Sequence, residues 1–245
     1  KGGGGFGDGR INMRGFANEN IAVMINGIPV NDMENGAVYW SNWAGLSDVT
    51  SAMQVQRGLG SSKLAIASVG GTINVVTRAA DKKKGGSVSI GVGNNGYHKS
   101  LFSYNTGKGN TGWSSSFLLS RTAGAMYIDG SNFEGYNYYF ALGYQKPSSN
   151  HDFQFTFTGA PQWHNQRSTS PTISDYIKYG SVNGGDPNRR YNADWGYRNG
   201  EALANRINYY HKPIMSLNWD WKISDKSKLN TVVYASFGRG GSING

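Results

Sequence analysis

From Ser87 onward apolar side chains recur at every second position, and this period of two most constrains what the chain can fold into. Val88, Ile90 and Val92 alternate with Ser87, Ser89 and Gly91. Tyr136, Tyr138, Phe140, Leu142 and Tyr144 alternate with Asn137, Tyr139, Ala141, Gly143 and Gln145. Phe153, Phe155 and Phe157 alternate with Gln154, Thr156 and Thr158, and Met215, Leu217, Trp219 and Trp221 with Ser216, Asn218, Asp220 and Lys222. A β-strand sends successive side chains to opposite faces. Segments 99–106, 113–121 and 229–237 repeat the pattern more weakly, so seven strands are predicted. One face is aromatic and aliphatic; the other is mostly Ser, Thr, Asn, Gln, Gly and Asp. A soluble sandwich buries the first face against a second sheet. An outer-membrane barrel turns it to lipid and closes the other around a wet lumen. Period alone fits both.

Three further features favour the barrel. The strands suit a tilted span of ~9–11 residues. Trp113, Tyr136, Tyr144 and Trp221 stand near strand ends, as in an interfacial girdle. Connections alternate short (108–111, 146–152, 224–228) and long (123–135, 161–212), the asymmetry of bacterial outer-membrane barrels. Composition removes other classes. With 36 glycines in 245 residues, 16% charged and 13% aromatic, the chain carries about twice the usual glycine and too many aromatics for a disordered polyampholyte. No apolar run approaches the ~18 residues of a spanning helix. Zero cysteines exclude disulfides and thiolate chemistry within these residues. The net charge of +9 is dispersed apart from Lys82-Lys83-Lys84 in a linker, so nucleic acid is not an expected partner.

Residues 1–80 differ in style. After a glycine-rich start, segments 11–16, 21–25, 49–57 and 72–77 read as short strands or amphipathic stretches, with a turn at Asn26-Gly27. Their wording is specific. Asn12-Met13-Arg14-Gly15-Phe16 is followed by Ala22-Val23-Met24-Ile25-Asn26-Gly27-Ile28-Pro29-Val30-Asn31-Asp32. Then come Met53-Gln54-Val55-Gln56-Arg57-Gly58 and Gly70-Gly71-Thr72-Ile73-Asn74-Val75-Val76-Thr77. Four motifs in this order resemble the second half of the plug domain of TonB-dependent outer-membrane receptors.

The resemblance implies an all-β barrel with a small α+β plug: part of a 22-stranded antiparallel barrel, about seven strands of it present. It divides the chain into late plug at 1–80, a basic linker at 81–86 and first barrel strands at 87–245, with a long extracellular loop at 161–212. On this reading the chain is an internal piece. The TonB box, early plug and remaining strands lie outside it, and periplasmic TonB is a partner only through such a segment. The wording from Asn31 to Trp43 is similar to receptors of Bacteroidota. Arg57-Gly58-Leu59-Gly60-Ser61 stands where glycan importers of the SusC type carry Lys-Gly-Ala-Ser-Ala, so a lipoprotein lid partner is less expected.

The implied location is the bacterial outer membrane, with membrane lipid as a partner and neither enzymatic activity nor a cofactor. The implied function is import of a scarce nutrient: iron chelate, cobalamin, glycan or peptide. The alternative is a receptor-like barrel that binds other subunits of an outer-membrane complex and transports nothing. Carried over by motif, Arg14, Phe16, Asn31, Asp32, Tyr39, Trp40 and Trp43 are candidate ligand contacts at the plug apex. Packing of plug against barrel wall is the plainer explanation of these aromatics. In the long loop the candidates are Trp163, Tyr191, Trp195 and Tyr197, whose plainer role is to fold over the barrel mouth. Arg57 is implied to seat the plug by pairing with barrel carboxylates, since a buried unpaired guanidinium is costly.

Other motifs carry little. Gly91, Gly93 and Gly96 fit Gly-x-Gly-x-x-Gly, but a strand pattern follows them rather than the helix that dinucleotide binding needs. His98, His151, His164 and His211 lack metal-ligand spacing, although His164 and His211 flank the long loop and were expected to have the chance to meet across it. No metal site and no catalytic group are expected.

Overall fold

The computed structural model describes residues 11–43, 45–57, 68–179, 181–182 and 186–244. The glycine-rich start and segment 58–61 lie outside them. A small sheet holds β1 (Ile21–Ile25), β2 (Ile28–Pro29), β3 (Ala52–Arg57) and β4 (Gly71–Val76) in the order β2-β1-β4-β3. Asn26 and Gly27 both take positive φ, and this turn folds β2 back antiparallel on β1. β1 runs parallel to β4 and is buried throughout, which is why it reads as an unbroken apolar run. Residues 11–16 make one bridge, Met13 to Phe16, around a turn with Arg14 and Gly15 at positive φ. That is a tight turn where a strand was expected. Ile21, Val23, Ile28, Val38, Trp43, Ile73 and Val75 form the core of this unit.

The chain then enters β5 (Gly85–Val92), β6 (His98–Asn105), β7 (Trp113–Ala125), β8 (Asn132–Gln145) and β9 (His151–Gly159). Next come β10 (Gln162–Asn165), β11 (Ser181–Val182), β12 (Asp186–Pro187), β13 (Trp195–Arg198), β14 (Glu201–Ala204), β15 (Arg206–His211), β16 (Ile214–Lys222), β17 (Lys228–Ser236) and β18 (Arg239–Asn244). Two short helices, α1 (Leu46–Val49) and α2 (Ile173–Lys178), complete the elements used below. The Gly91–Gly96 motif lies at the β5–β6 hairpin, followed by a strand as expected.

All seven expected strands form, and β5-β6-β7-β8-β9-β16-β17 pair in that order as an antiparallel meander. Three of them are longer than the sequence pattern suggests. Thr158 lies opposite Ile214, and four positions on Gln162 lies opposite Tyr210, so β9 and β10 run against β16 and β15 in one register. β18 likewise continues β17 along β15 in the register that β17 keeps with β16. The breaks fall at Pro161, Pro213 and Gly238. A proline has no N–H for the ladder and reads as loop punctuation. The long connection is therefore 166–205 rather than 161–212.

Strand alternation separates two faces. Phe117, Leu119, Phe140, Leu142, Phe157, Met215 and Leu217 point away from the small unit and are exposed. Phe153, Trp219 and Trp221 share that face, and no second layer of described residues covers them. Phe153 and Trp219 stack at 6.0 Å and 4° between planes. Ser114, Ser116, Gln154, Thr156 and Ser216 point inward and are buried. The nine residues of β16, rising ~3.3 Å each and tilted ~40°, climb about 23 Å, close to the ~25 Å apolar band of outer-membrane barrels.

The inward face is apolar where the plug touches it. Val49 and Ala79 meet Leu118, Tyr139 and Ala141, and Ile214 joins the plug core. Polar pins flank these patches. The Asp48 carboxylate accepts from Lys99 Nζ at 2.8 Å. Gln154 Oε1 accepts from Ala79 N at 3.2 Å, while its Nε2 donates to the Thr77 carbonyl. Arg78 pairs with Asp152, which also accepts from Gln145 Nε2 at 2.8 Å. Asn218 Nδ2 donates to the Asn26 carbonyl at 2.9 Å.

Candidate functional site

The plug loop after β2 is built around Asn31. Its Oδ1 accepts from Val23 N at 2.8 Å, and its Nδ2 donates to the carbonyls of Ile21 (2.9 Å) and Gly36 (2.8 Å). Asn31 thus fastens the loop to β1. Asp32 Oδ1 accepts from the N–H groups of Glu34 and Asn35, the local turn bonding that short acidic side chains favour. Asn35 Nδ2 donates to the Tyr39 hydroxyl at 2.8 Å. The loop then turns inward at Trp40 and Trp43, whose indole N–H groups are buried without a hydrogen-bond partner among the described residues. Trp43 belongs to the plug core, as the packing explanation holds, and also lines the cleft beside it.

That cleft, of about 640 Å³, lies between this loop and the upper ends of β16 and β17. Asn31, Asp32 and Trp43 come to it from the plug; Lys212, Tyr234 and Ser236 come from the barrel strands. The Asp32 carboxylate and Tyr39 are within electrostatic reach of the Tyr210 phenol on β15. The structure therefore brings Asn31, Asp32 and Trp43 to one cleft, while Tyr39 is held by Asn35 in the loop. Arg14 sits on its exposed turn, and Phe16 packs beside Gly70, where a Cβ would lie 3.0 Å from the Phe16 Cβ. Tyr210 and Lys212 both fall within the 161–212 connection that the sequence pattern predicts, although Tyr210 stands on β15. Tyr234 fell within a predicted strand, but only the docking of the plug shows which face it serves.

The long-loop candidates are placed differently from one another. Trp163 stands on β10 opposite Glu134, on the outward face, and not in the loop. Tyr191 meets Tyr176 edge-on at 5.8 Å. Trp195 meets Tyr197 at 5.2 Å and packs on Gly130, where a Cβ would fall 1.9 Å from the indole. Arg190 Nε donates to Asp129 Oδ1 at 2.9 Å, and Asn192 Nδ2 to the Asp129 carbonyl at 2.9 Å, so the 126–131 and 166–205 connections are tied together. Arg57 is exposed at the end of the plug's edge strand and makes no ion pair among the described residues; Lys99–Asp48 and Arg78–Asp152 span plug and barrel instead. His164 and His211 lie on opposite faces of one sheet. No cluster of three potential metal ligands occurs among the described residues.

Asp194 is the loop's fastener. Burial opposes its charge, yet the Thr169 hydroxyl and the N–H groups of Thr169 and Ser168 hold its carboxylate below the ordinary aspartate value. A depressed folded value means that the released loop takes up the proton first as pH falls. The loop's stability is therefore full above the ordinary aspartate range and lost only below it. Asp194→Ala is expected to cost about 2 kcal/mol of local stability, since hydrogen bonds to a charged group are worth ~1.5–3 kcal/mol. Amide exchange across 166–205 at neutral pH should rise in the variant, and in the parent only in strong acid.

Residues 1–72 match the family described as the TonB-dependent receptor plug domain. This chain carries a TonB-dependent receptor plug. The plug with its strands also matches solved structures. The siderophore receptor PiuA from Acinetobacter baumannii aligns at a TM-score of 0.67 and 15% identity, over 98% of this chain and 32% of that one. The ferric-catecholate import receptor Fiu from E. coli K12, in its open form, gives 0.69 and 14%, over 94% and 33%. The ferripyoverdine receptor of the Pseudomonas aeruginosa outer membrane, bound to ferripyoverdine, gives 0.66 and 12%, over 92% and 28%. The chain spans about a third of the length of these structures. No curated protein sequence matches it. Plug and strands together are the fold of outer-membrane receptors, and the plug family is one of transporters rather than enzymes. The plug match and the strand fold together place this chain in the outer membrane.

Proposed function

We propose that this chain forms the late plug and first strands of a receptor that binds a scarce, bulky nutrient from outside and passes it inward when TonB rearranges the plug. The observation that carries the reading is the cleft at the outer end of the plug. Asp32, Lys212 and Tyr234 there offer both signs of charge and an aromatic wall, and Trp43 brings a buried indole N–H that lacks an acceptor among the described residues. A rigid aromatic with a polar handle suits chelates and conjugates. The siderophores named for the similar structures make ferric chelates the first ligands to try.

The test is equilibrium binding of a panel of ferric siderophores, cobalamin and oligosaccharides to the full-length receptor, with uptake by cells measured in parallel. Asp32→Asn with Lys212→Gln should weaken the bound ligand about tenfold or more, the size expected for removing a charge-assisted contact. The double variant should leave barrel folding unchanged. Unaltered binding would contradict the site. Tight binding of another outer-membrane protein in place of every small molecule would favour the assembly-subunit reading.

A further inference from the structure

The outward face of the barrel strands changes character at one height. Below it the face is mostly apolar down to Trp221, interrupted by Ser115, Thr231 and His151. At it, strand register sets Arg121 opposite Tyr136 and His211 opposite Arg239. The two pairs are joined through Pro161, whose carbonyl accepts from Tyr136 N at 2.9 Å. Alternation turns all four side chains outward. Tyr138, one step below, meets His211 Nε2 with its hydroxyl at 2.9 Å. His98 meets Arg121 with its Nε2 at 2.8 Å. Two permanent cations and two imidazoles therefore share a belt with aromatic rings. Among the described residues of this row and its neighbours on that face, the one carboxylate is Glu134, which accepts from Arg121 Nε and from the Tyr136 hydroxyl, both at 2.7 Å. Arg239 is exposed.

A charged row on a lipid-facing surface is costly in hydrocarbon, and its height identifies what it meets. The row lies at the long-loop end, immediately beyond the apolar band, where the headgroups of the outer leaflet sit. We infer that Arg121, His211 and Arg239, with His98 positioning Arg121, form a binding site for the phosphorylated headgroup of an outer-leaflet glycolipid. The geometry suits that occupant. Guanidinium groups read phosphate oxygens through parallel donors, His98 orients Arg121 through its Nε2 while its Nδ1 donates to the Gly96 carbonyl at 3.2 Å, and Tyr136 and Tyr138 present ring faces to sugar and acyl carbons. Glu134 fixes the reach of Arg121 while leaving the belt positive. The inference rests on the outward face meeting lipid; it does not depend on any substrate.

The test uses the full-length receptor in detergent, titrated with mixed micelles containing bis-phosphorylated lipid A. Arg121→Gln with Arg239→Gln should weaken binding about tenfold, and dephosphorylated lipid A should bind the parent no better than lipid A binds the variant. Raised salt should weaken the parent more than the variant. If the double variant fails to fold, Arg239→Gln alone is the substitute, since its side chain makes no ion pair among the described residues. Equal binding by parent and variant, or by phosphorylated and dephosphorylated lipid, would overturn the inference. So would full displacement of the lipid by millimolar inorganic phosphate, which would mark a free-anion site. A receptor that stays soluble without detergent would instead overturn the barrel reading itself.

Discussion

Gly45→Val is expected to lift the plug off its barrel wall at a cost of about 3 kcal/mol or more. Gly45 opens α1 at φ +81°, and a Cβ there would lie 2.1 Å from the Asn137 amide nitrogen on β8. Left-handed backbone costs a β-branched residue ~1–3 kcal/mol, and overpacking a closed contact costs ~1–3 kcal/mol more. Asn137 is itself buried, so it has little room to yield. Helix α1 carries Val49 and Asp48, the apolar and charged contacts with Leu118, Tyr139 and Lys99, and these should loosen together. The readout is protease cleavage of the plug in the folded receptor. Gly196→Val is the control: no atom lies within 4 Å of a Cβ built there, and no effect above about 0.5 kcal/mol is expected. Equal protease resistance in the parent and Gly45→Val would show that the contact does not seat the plug.

Leu217→Arg should destabilise the membrane-inserted receptor by about 2–4 kcal/mol, the cost of an arginine near the bilayer midplane on a barrel's lipid face. Leu217 lies near the middle of β16 and is 44% exposed; Leu203, on the β13–β14 hairpin, is 45% exposed. In water the two substitutions would be equivalent. In the membrane only the first should cost anything, and Leu203→Arg should change stability by less than about 0.5 kcal/mol. Denaturant unfolding from vesicles measures both. Equal costs would mean that exposure on β16 is exposure to water.

Much of this fold was legible because each strand lives between two environments. Phe153-Gln154-Phe155-Thr156-Phe157 states its faces residue by residue, and the structure keeps them. The plug was legible through wording: β1 is buried on every side, so its pattern is a plain apolar run, and only the turn and strand motifs around it placed it in a family. The strand ends were not legible. Pro161 and Pro213 interrupt the hydrogen-bond ladder without shifting register, and a sequence shows the interruption but not the continued pairing. Segment 11–16 failed as a strand because Arg14-Gly15 turns back within it.

The site was half legible. Asp32 and Trp43 follow from the motif before them. Lys212, Ile214 and Tyr234 reach the same cleft through the register of β16 and β17 on the plug, a long-range relation that local spacing does not encode. Trp163 was placed with the loop aromatics for the same reason, since nothing nearby in sequence says that β10 still runs as a barrel strand there.

The most direct measurement is site-directed spin labelling along β9, made simple by the absence of cysteine in these 245 residues. Single cysteines at 153, 154, 155, 156 and 157 would be labelled in the full-length receptor in lipid vesicles, and collisions with oxygen and with a water-soluble nickel chelate recorded. Labels at 153, 155 and 157 should meet oxygen freely and the chelate hardly at all, while 154 and 156 should be shielded from oxygen by the plug. Nickel access at 153, 155 and 157, or a flat profile with no period of two, would contradict a barrel whose apolar face meets hydrocarbon and whose polar face surrounds a plug.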